Sequence, residues 1–197
     1  LPEFADMAGA RSGATFARRF QTTTLETIDD DDLLTALHPF ISQGWPITTA
    51  DGGTDQIFME PDAQRAIVEL SCGEPFLFQL AGQCAWHAST DSIITAEHVR
   101  TGWSRQAVHE AESHVQRILD RLPPREREFV EAMAELAPEE RSLTNIANRI
   151  GHKRATDAGP TAQRLDLTRR IIRRGRPYRF QHRAVGAYLT SEWPEVD

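Results

Sequence analysis

The stretch that decides the fold is Gly159-Pro160-Thr161-Ala162-Gln163-Arg164-Leu165-Asp166-Leu167-Thr168-Arg169-Arg170-Ile171-Ile172-Arg173-Arg174-Gly175-Arg176-Pro177-Tyr178-Arg179-Phe180. Its glycine–proline pair punctuates the chain and opens a helix over Thr161 to about Arg169. Ile171-Ile172, a turn at Arg174-Gly175-Arg176-Pro177, and Tyr178-Arg179-Phe180 with alternating faces then read as a β-hairpin.

Upstream, Arg125 to Leu136 carries Phe129, Val130, Met133 and Leu136 at helical spacing. Leu143 to Ile150 is a short helix ended by Gly151, and downstream a last helix runs from Ala184 to Trp193. Helix, helix, helix, hairpin is the order of a winged helix-turn-helix. Pro123-Pro124 breaks the chain ahead of it and marks a domain boundary. The expected division is a stub or linker over 1–24, a helical bundle over 25–122 and a winged-helix domain over 123–197.

Charge follows the same division. Residues 21–70 hold ten acids against Arg65 alone, a net of −9. Residues 143–183 hold eleven bases against Asp157 and Asp166, a net of +9. Two such halves point to different partners, which the whole-chain value of −7 conceals. A helix-turn-helix places its third helix in the major groove, where arginines reach phosphates and the guanine edge. Lys153 and Arg154 precede that helix, and Arg164, Arg169, Arg170, Arg173, Arg174 and Arg179 lie on it or on the hairpin. These eight are the candidate contacts to double-stranded DNA. The competing reading docks the basic module on protein, including the acidic segment 21–70 of the same chain.

The N-terminal half reads as a bundle. Asp29-Asp30-Asp31-Asp32 stands directly before Leu33-Leu34-Thr35-Ala36-Leu37, where aspartate caps a helix and first-turn acids complement its dipole. Ile41 to Gly53 reads as a loop. Pro61-Asp62 opens a helix that Gly73 ends, and Pro75 to Ala88 is apolar on several sides, as a central bundle helix would be. Thr95 is an N-cap with His98 where a capping box would place Glu, and that helix is expected to run unbroken to about Leu122.

Catalytic patterns are missing from the sequence. The seven histidines form no HExxH and no i,i+4 pair, Ser71-Cys72-Gly73 makes no nucleophile elbow, and no GxxxxGK[ST] occurs. The two cysteines, Cys72 and Cys84, read as buried and reduced, which favours the cytoplasm. The apolar runs are far short of a membrane span, so no membrane partner is expected. Leu1 in place of Met reads as a cut into a longer protein or a processed start.

Two segments together resemble a known family. Gly73-Glu74-Pro75-Phe76-Leu77-Phe78-Gln79-Leu80-Ala81-Gly82, then Trp86 and Ile94-Thr95-Ala96-Glu97-His98-Val99, resembles the lid of prokaryotic P-loop ATPases of the AAA+/STAND group. Leu122-Pro123-Pro124-Arg125-Glu126-Arg127-Glu128-Phe129-Val130, with Ile146-Ala147-Asn148-Arg149-Ile150-Gly151 and Tyr178-Arg179-Phe180, is similar to the winged helix that follows the lid in origin-recognition-type ATPases. The resemblance implies an ATPase core upstream that holds ATP and Mg. It implies nucleotide contacts from Gly73 and Pro75 and from Arg18 or Arg19, where such proteins place an arginine that senses the γ-phosphate. Phe76 and Leu77 occupy the positions of the family's lid arginine, so the STAND-like variant fits better. The expected function is a regulatory ATPase region whose lid contacts nucleotide and whose winged helix binds DNA. The alternatives are a signalling or scaffold ATPase region docking on itself or on partner proteins, or a free-standing winged-helix transcription regulator.

Overall fold

A computed structural model describes residues 28–195, and among them the chain is mainly helical with a small amount of sheet. Helix α1 (Asp30–Ser42) starts where the aspartate run was expected to cap it: Asp29 accepts a hydrogen bond from the Asp32 amide at 2.8 Å. A hairpin follows, β1 (Trp45–Thr48) with β2 (Thr54–Met59), and then α2 (Pro61–Ser71) and α3 (Pro75–Ala88). Strand β3 (Ile93–Ile94) adds to β2 in parallel, giving the sheet order β1-β2-β3. Helices α4 (Ala96–Gly102) and α5 (Arg105–Asp120) complete the N-terminal half.

Beyond Pro123 come α6 (Pro124–Ala134), a short 3-10 turn at Pro138–Glu140, α7 (Leu143–Arg149) and α8 (Ala155–Leu167). A two-stranded antiparallel sheet, β4 (Ile172–Arg173) with β5 (Arg179–Phe180), precedes α9 (Arg183–Thr190).

Three sequence expectations are corrected. The segment 41–53 is no simple loop, because Trp45–Thr48 pairs along β2 in the register Trp45↔Ile57 to Thr48↔Thr54. The strand contains Pro46 and lies at the sheet edge, so its stability comes from β2 and not from its own pattern. The helix expected from Thr95 to Leu122 is two helices. Gly102 lies so close to the backbone of α3 that a Cβ there would sit 2.6 Å from the Cys84 carbonyl carbon, and the chain turns at Trp103 before Ser104 caps α5. The capping box itself is present, with the Thr95 amide donating to His98 Nδ1 at 3.2 Å.

The third correction concerns the deciding stretch. Helix α8 begins at Ala155, and Pro160 lies inside it. Proline forfeits one amide hydrogen bond there. Burial of Ala158, Thr161, Ala162 and Leu165 on one face outweighs that loss.

Two buried clusters make the core. The first gathers Leu33, Leu37, Met59, Ile67, Leu70, Ile94 and Val99 between α1, α2, α4 and the sheet. The second joins Leu77 and Leu80 of α3 and Ala111, Val115 and Leu119 of α5 to Phe129, Met133, Ile146, Leu165, Ile172 and Val185. This second cluster runs across Pro123-Pro124, so the C-terminal elements share apolar packing with the bundle. Replacing Gly102 by Ala should push α4 off α3 and cost roughly 1–3 kcal/mol, an overpacking penalty read from the urea unfolding midpoint.

Candidate nucleic-acid interface and lid motif

The eight basic candidates separate into groups with different surroundings. Glu126, in the first turn of α6, is 2% exposed and faces two of them. It accepts from Arg164 Nε at 2.9 Å and from Arg169 Nε at 3.0 Å. Arg169 is itself 14% exposed, whereas half of the Arg164 side chain remains open. A buried carboxylate is tolerable only with such partners, so these two arginines hold α6 against α8 and the loop behind it. Arg174 pairs with Asp166 at 2.8 Å across the start of the hairpin.

Arg173 and Arg179 behave differently. They are direct cross-strand partners in the β4–β5 register, both exposed, and neither has an ion pair among the described residues. Side chains directly opposite on an antiparallel pair share a face, and like charges there repel. Arg176, in the turn between them, adds a third exposed cation. Lys153 and Arg154 are exposed just before α8. Arg170, in left-handed backbone at φ 57°, follows α8 and is engaged in an interaction of its own.

Of the candidates only Arg164 lies on α8, and it lies on the flank toward α6. The outward row of that helix is Thr156, Pro160, Gln163 and Leu167, all exposed. Charge counting along the sequence could not separate flank from outward face, because that depends on which residues α8 buries.

Gly73 and Pro75 sit where α2 gives way to α3. Cys72 and Gly73 both take left-handed backbone at the end of α2, and Pro75 is the first residue of α3 and exposed. A Cβ on Gly73 would lie 3.2 Å from Arg183 Nη2 and 3.2 Å from the Ile28 carbonyl oxygen. Arg183 in turn pairs with Asp30 through Nη1 at 3.0 Å, which joins α9 to α1. This is a contact of the kind expected between the basic module and the acidic segment. Arg18 and Arg19 lie outside the described residues.

Between Gly73 and Pro75 stands a residue that sequence reasoning passed over. Glu74 is the N-cap of α3 and receives two imidazoles, His114 Nε2 of α5 at 2.9 Å and His182 Nε2 before α9 at 3.4 Å. His114 stacks on Phe76 with centroids 4.3 Å apart. Burial pushes the Glu74 carboxyl up, but hydrogen bonds and charge from His182 and His114 more than reverse this, leaving it below the usual carboxylate range. The only sequence signal was three ionisable residues 40 and 68 positions apart, which no spacing rule connects. Among the described residues no cluster of three or more His, Cys, Asp or Glu could hold a metal. Both cysteines are free, and burial pushes the Cys72 thiol up to about 11. No described helix is long and apolar enough to cross a membrane.

A family model described as a domain of unknown function (DUF8462) matches residues 112–176, from within α5 to the hairpin turn. No curated protein and no solved structure matches the chain.

Two outcomes follow for stability. Glu126→Ala removes the buried carboxylate that Arg164 and Arg169 share and should cost about 3 kcal/mol in denaturant unfolding. Glu74 has a lowered folded pKa, so its contribution is present above the unfolded value near 4.5 and is lost as pH falls through the folded value. Urea midpoints taken from pH 7 down to pH 3 should therefore fall less steeply for Glu74→Gln than for the unaltered chain.

Proposed function

We propose that this chain is the C-terminal regulatory region of a P-loop ATPase, with residues 123–197 forming a winged helix that binds double-stranded DNA. In this reading α6, α7 and α8 are the three helices, β4 and β5 are the wing, and residues 25–122 are the lid. The order of elements supports it: three helices, a two-stranded antiparallel hairpin and a closing helix, in the arrangement the sequence led us to expect.

The observation that carries the DNA reading is the Arg173–Arg179 pair. Folding places two exposed guanidiniums opposite each other on one face, with Arg176 beside them and no carboxylate between them among the described residues. A polyanion relieves that repulsion, and a phosphate backbone supplies anions at regular spacing. Lys153 and Arg154 at the start of α8 extend the cationic surface. Contacts of this type position a protein on the duplex, whereas sequence is read at base edges. The neutral outward row of α8 offers Thr156 and Gln163 for base edges, so weak sequence discrimination is the expected behaviour.

In this reading ATP and Mg would be held mainly by an ATPase core, with Gly73 and Pro75 contributing from the lid. A second reading has a specific observation behind it. Leu167 is 58% exposed at the end of the outward row of α8, which suits docking on protein better than contact with a phosphate backbone.

A gel-shift titration of the 197-residue chain with a duplex oligonucleotide, at two salt concentrations, separates the two. Binding should weaken with salt, with a log–log slope of about −0.9 per phosphate contacted. The double change Arg173→Gln with Arg179→Gln should make that slope shallower by about 2. No retardation at the lower salt would leave protein docking as the better account.

A further inference from the structure

Arg141 lies between the 3-10 turn and α7, is only 9% exposed, and has no ion pair among the described residues. Its Nε donates to the carbonyls of Met133 and Leu136, each at 3.1 Å, and so closes the end of α6. Its guanidinium carbon lies 5.3 Å from the centroid of the Phe180 ring. These contacts account for one nitrogen of three. The two Nη groups have no acceptor among the described residues, and neither is sealed in the interior as an unsatisfied atom. Each therefore keeps some contact with solvent, and Arg141 lines a cleft beside it.

That cleft has a volume of about 440 Å³ and lies between α2, β5 and α9. Its charged residues are Arg141, Arg179 and Arg183 with Glu69 and Glu192. Asp30 engages Arg183 from outside the lining, and Glu192 is turned onto the Thr190 hydroxyl at 3.0 Å. Neither acid forms an ion pair with Arg141 or Arg179. Burial pulls the Arg141 pKa down and the carboxylates of Glu192 and Glu139 act against that shift without forming an ion pair, so a nearly buried guanidinium remains with no carboxylate in direct contact. Arg179 carries the further repulsion of Arg173.

We propose that this cleft binds one oxyanion of the phosphate class, held by the Nη groups of Arg141, with Arg179 and Arg183 as the other cations of its lining. Paired N–H groups of one guanidinium match two oxygens of a phosphate, a geometry that lysine cannot reproduce. The anion would lie where the end of α2 meets the hairpin and α9, against the same Arg183 that approaches Gly73. The site stands independently of the DNA reading, because its ligand is the phosphate group itself.

Isothermal titration of the 197-residue chain with inorganic phosphate, against sodium chloride at equal ionic strength, tests it. Saturable binding of one phosphate per chain is expected, weakened about tenfold or more by Arg179→Gln and by Arg141→Lys. Arg65→Gln, on the exposed face of α2, should bind as the unaltered chain does. Arg179 is exposed, so its variant keeps the test valid if Arg141→Lys fails to fold. Adding a duplex oligonucleotide distinguishes the source of the group. Competition with phosphate assigns the site to a backbone phosphate, and simultaneous binding, or no DNA binding at all, assigns it to a free phosphate compound. Heats equal to those of chloride, or unchanged binding in Arg179→Gln, would overturn the proposal.

Discussion

Burying the Glu126 carboxylate costs free energy that two arginine partners offset, and the arrangement of the C-terminal half follows from that requirement. Arg164 comes from α8 and Arg169 from the loop leaving it, so both ends of the connection into the hairpin are tied to the first turn of α6. The hairpin then leaves at a fixed place, and its strands present Arg173 and Arg179 outward while Ile172 turns into the core. Internal neutralisation and outward display thus divide one block of positive charge. The net +9 of residues 143–183 overstates what any partner could meet, because Arg164, Arg169 and Arg174 already face carboxylates of the same chain.

What was legible in the sequence had a local cause. Asp29 and Thr95 cap helices because their side chains reach amides three residues on, and that geometry is contained in a few neighbouring residues. The hairpin was legible too, since Ile171-Ile172 and Tyr178-Arg179-Phe180 flank a turn rich in glycine and proline. Failures arose where a distant element decides. Strand β1 exists because β2 pairs with it, α4 ends because Gly102 meets Cys84 of α3, and α8 runs through Pro160 because Ala158 and Ala162 find a buried face. Each is tertiary structure overriding a local signal.

The candidate site was legible in kind and not in arrangement. Sequence located a basic segment and a Gly-x-Pro turn, both of which the fold places at the molecule's surface or seam. It could not show that Arg164 lies on a flank, or that Glu74 gathers His114 and His182 from elements 40 residues or more away. Arg141 was invisible as well. An isolated arginine before a short helix carries no pattern, and only the distances to Met133, Leu136 and Phe180 reveal that most of its charge is buried.

Glu74 and Arg183 give the seam between the two halves a polar character unlike the apolar cluster beneath it. The cluster of Leu77, Val115, Leu119, Phe129 and Val185 holds α3 and α5 to α6 and α9 by area, which is insensitive to charge state. Above it, Glu74 joins α3 to α5 and to the start of α9 through imidazoles, and Arg183 joins α9 to α1 through Asp30. Both polar contacts converge on the short stretch from His182 to Arg183 that links β5 to α9. Ion pairs that are partly open to solvent contribute little to global stability, while a shared anchor of this kind fixes relative orientation at small energetic cost. Gly73 thus lies against the first residue of α9, and Arg179 stands a few residues earlier on the same strand-to-helix connection.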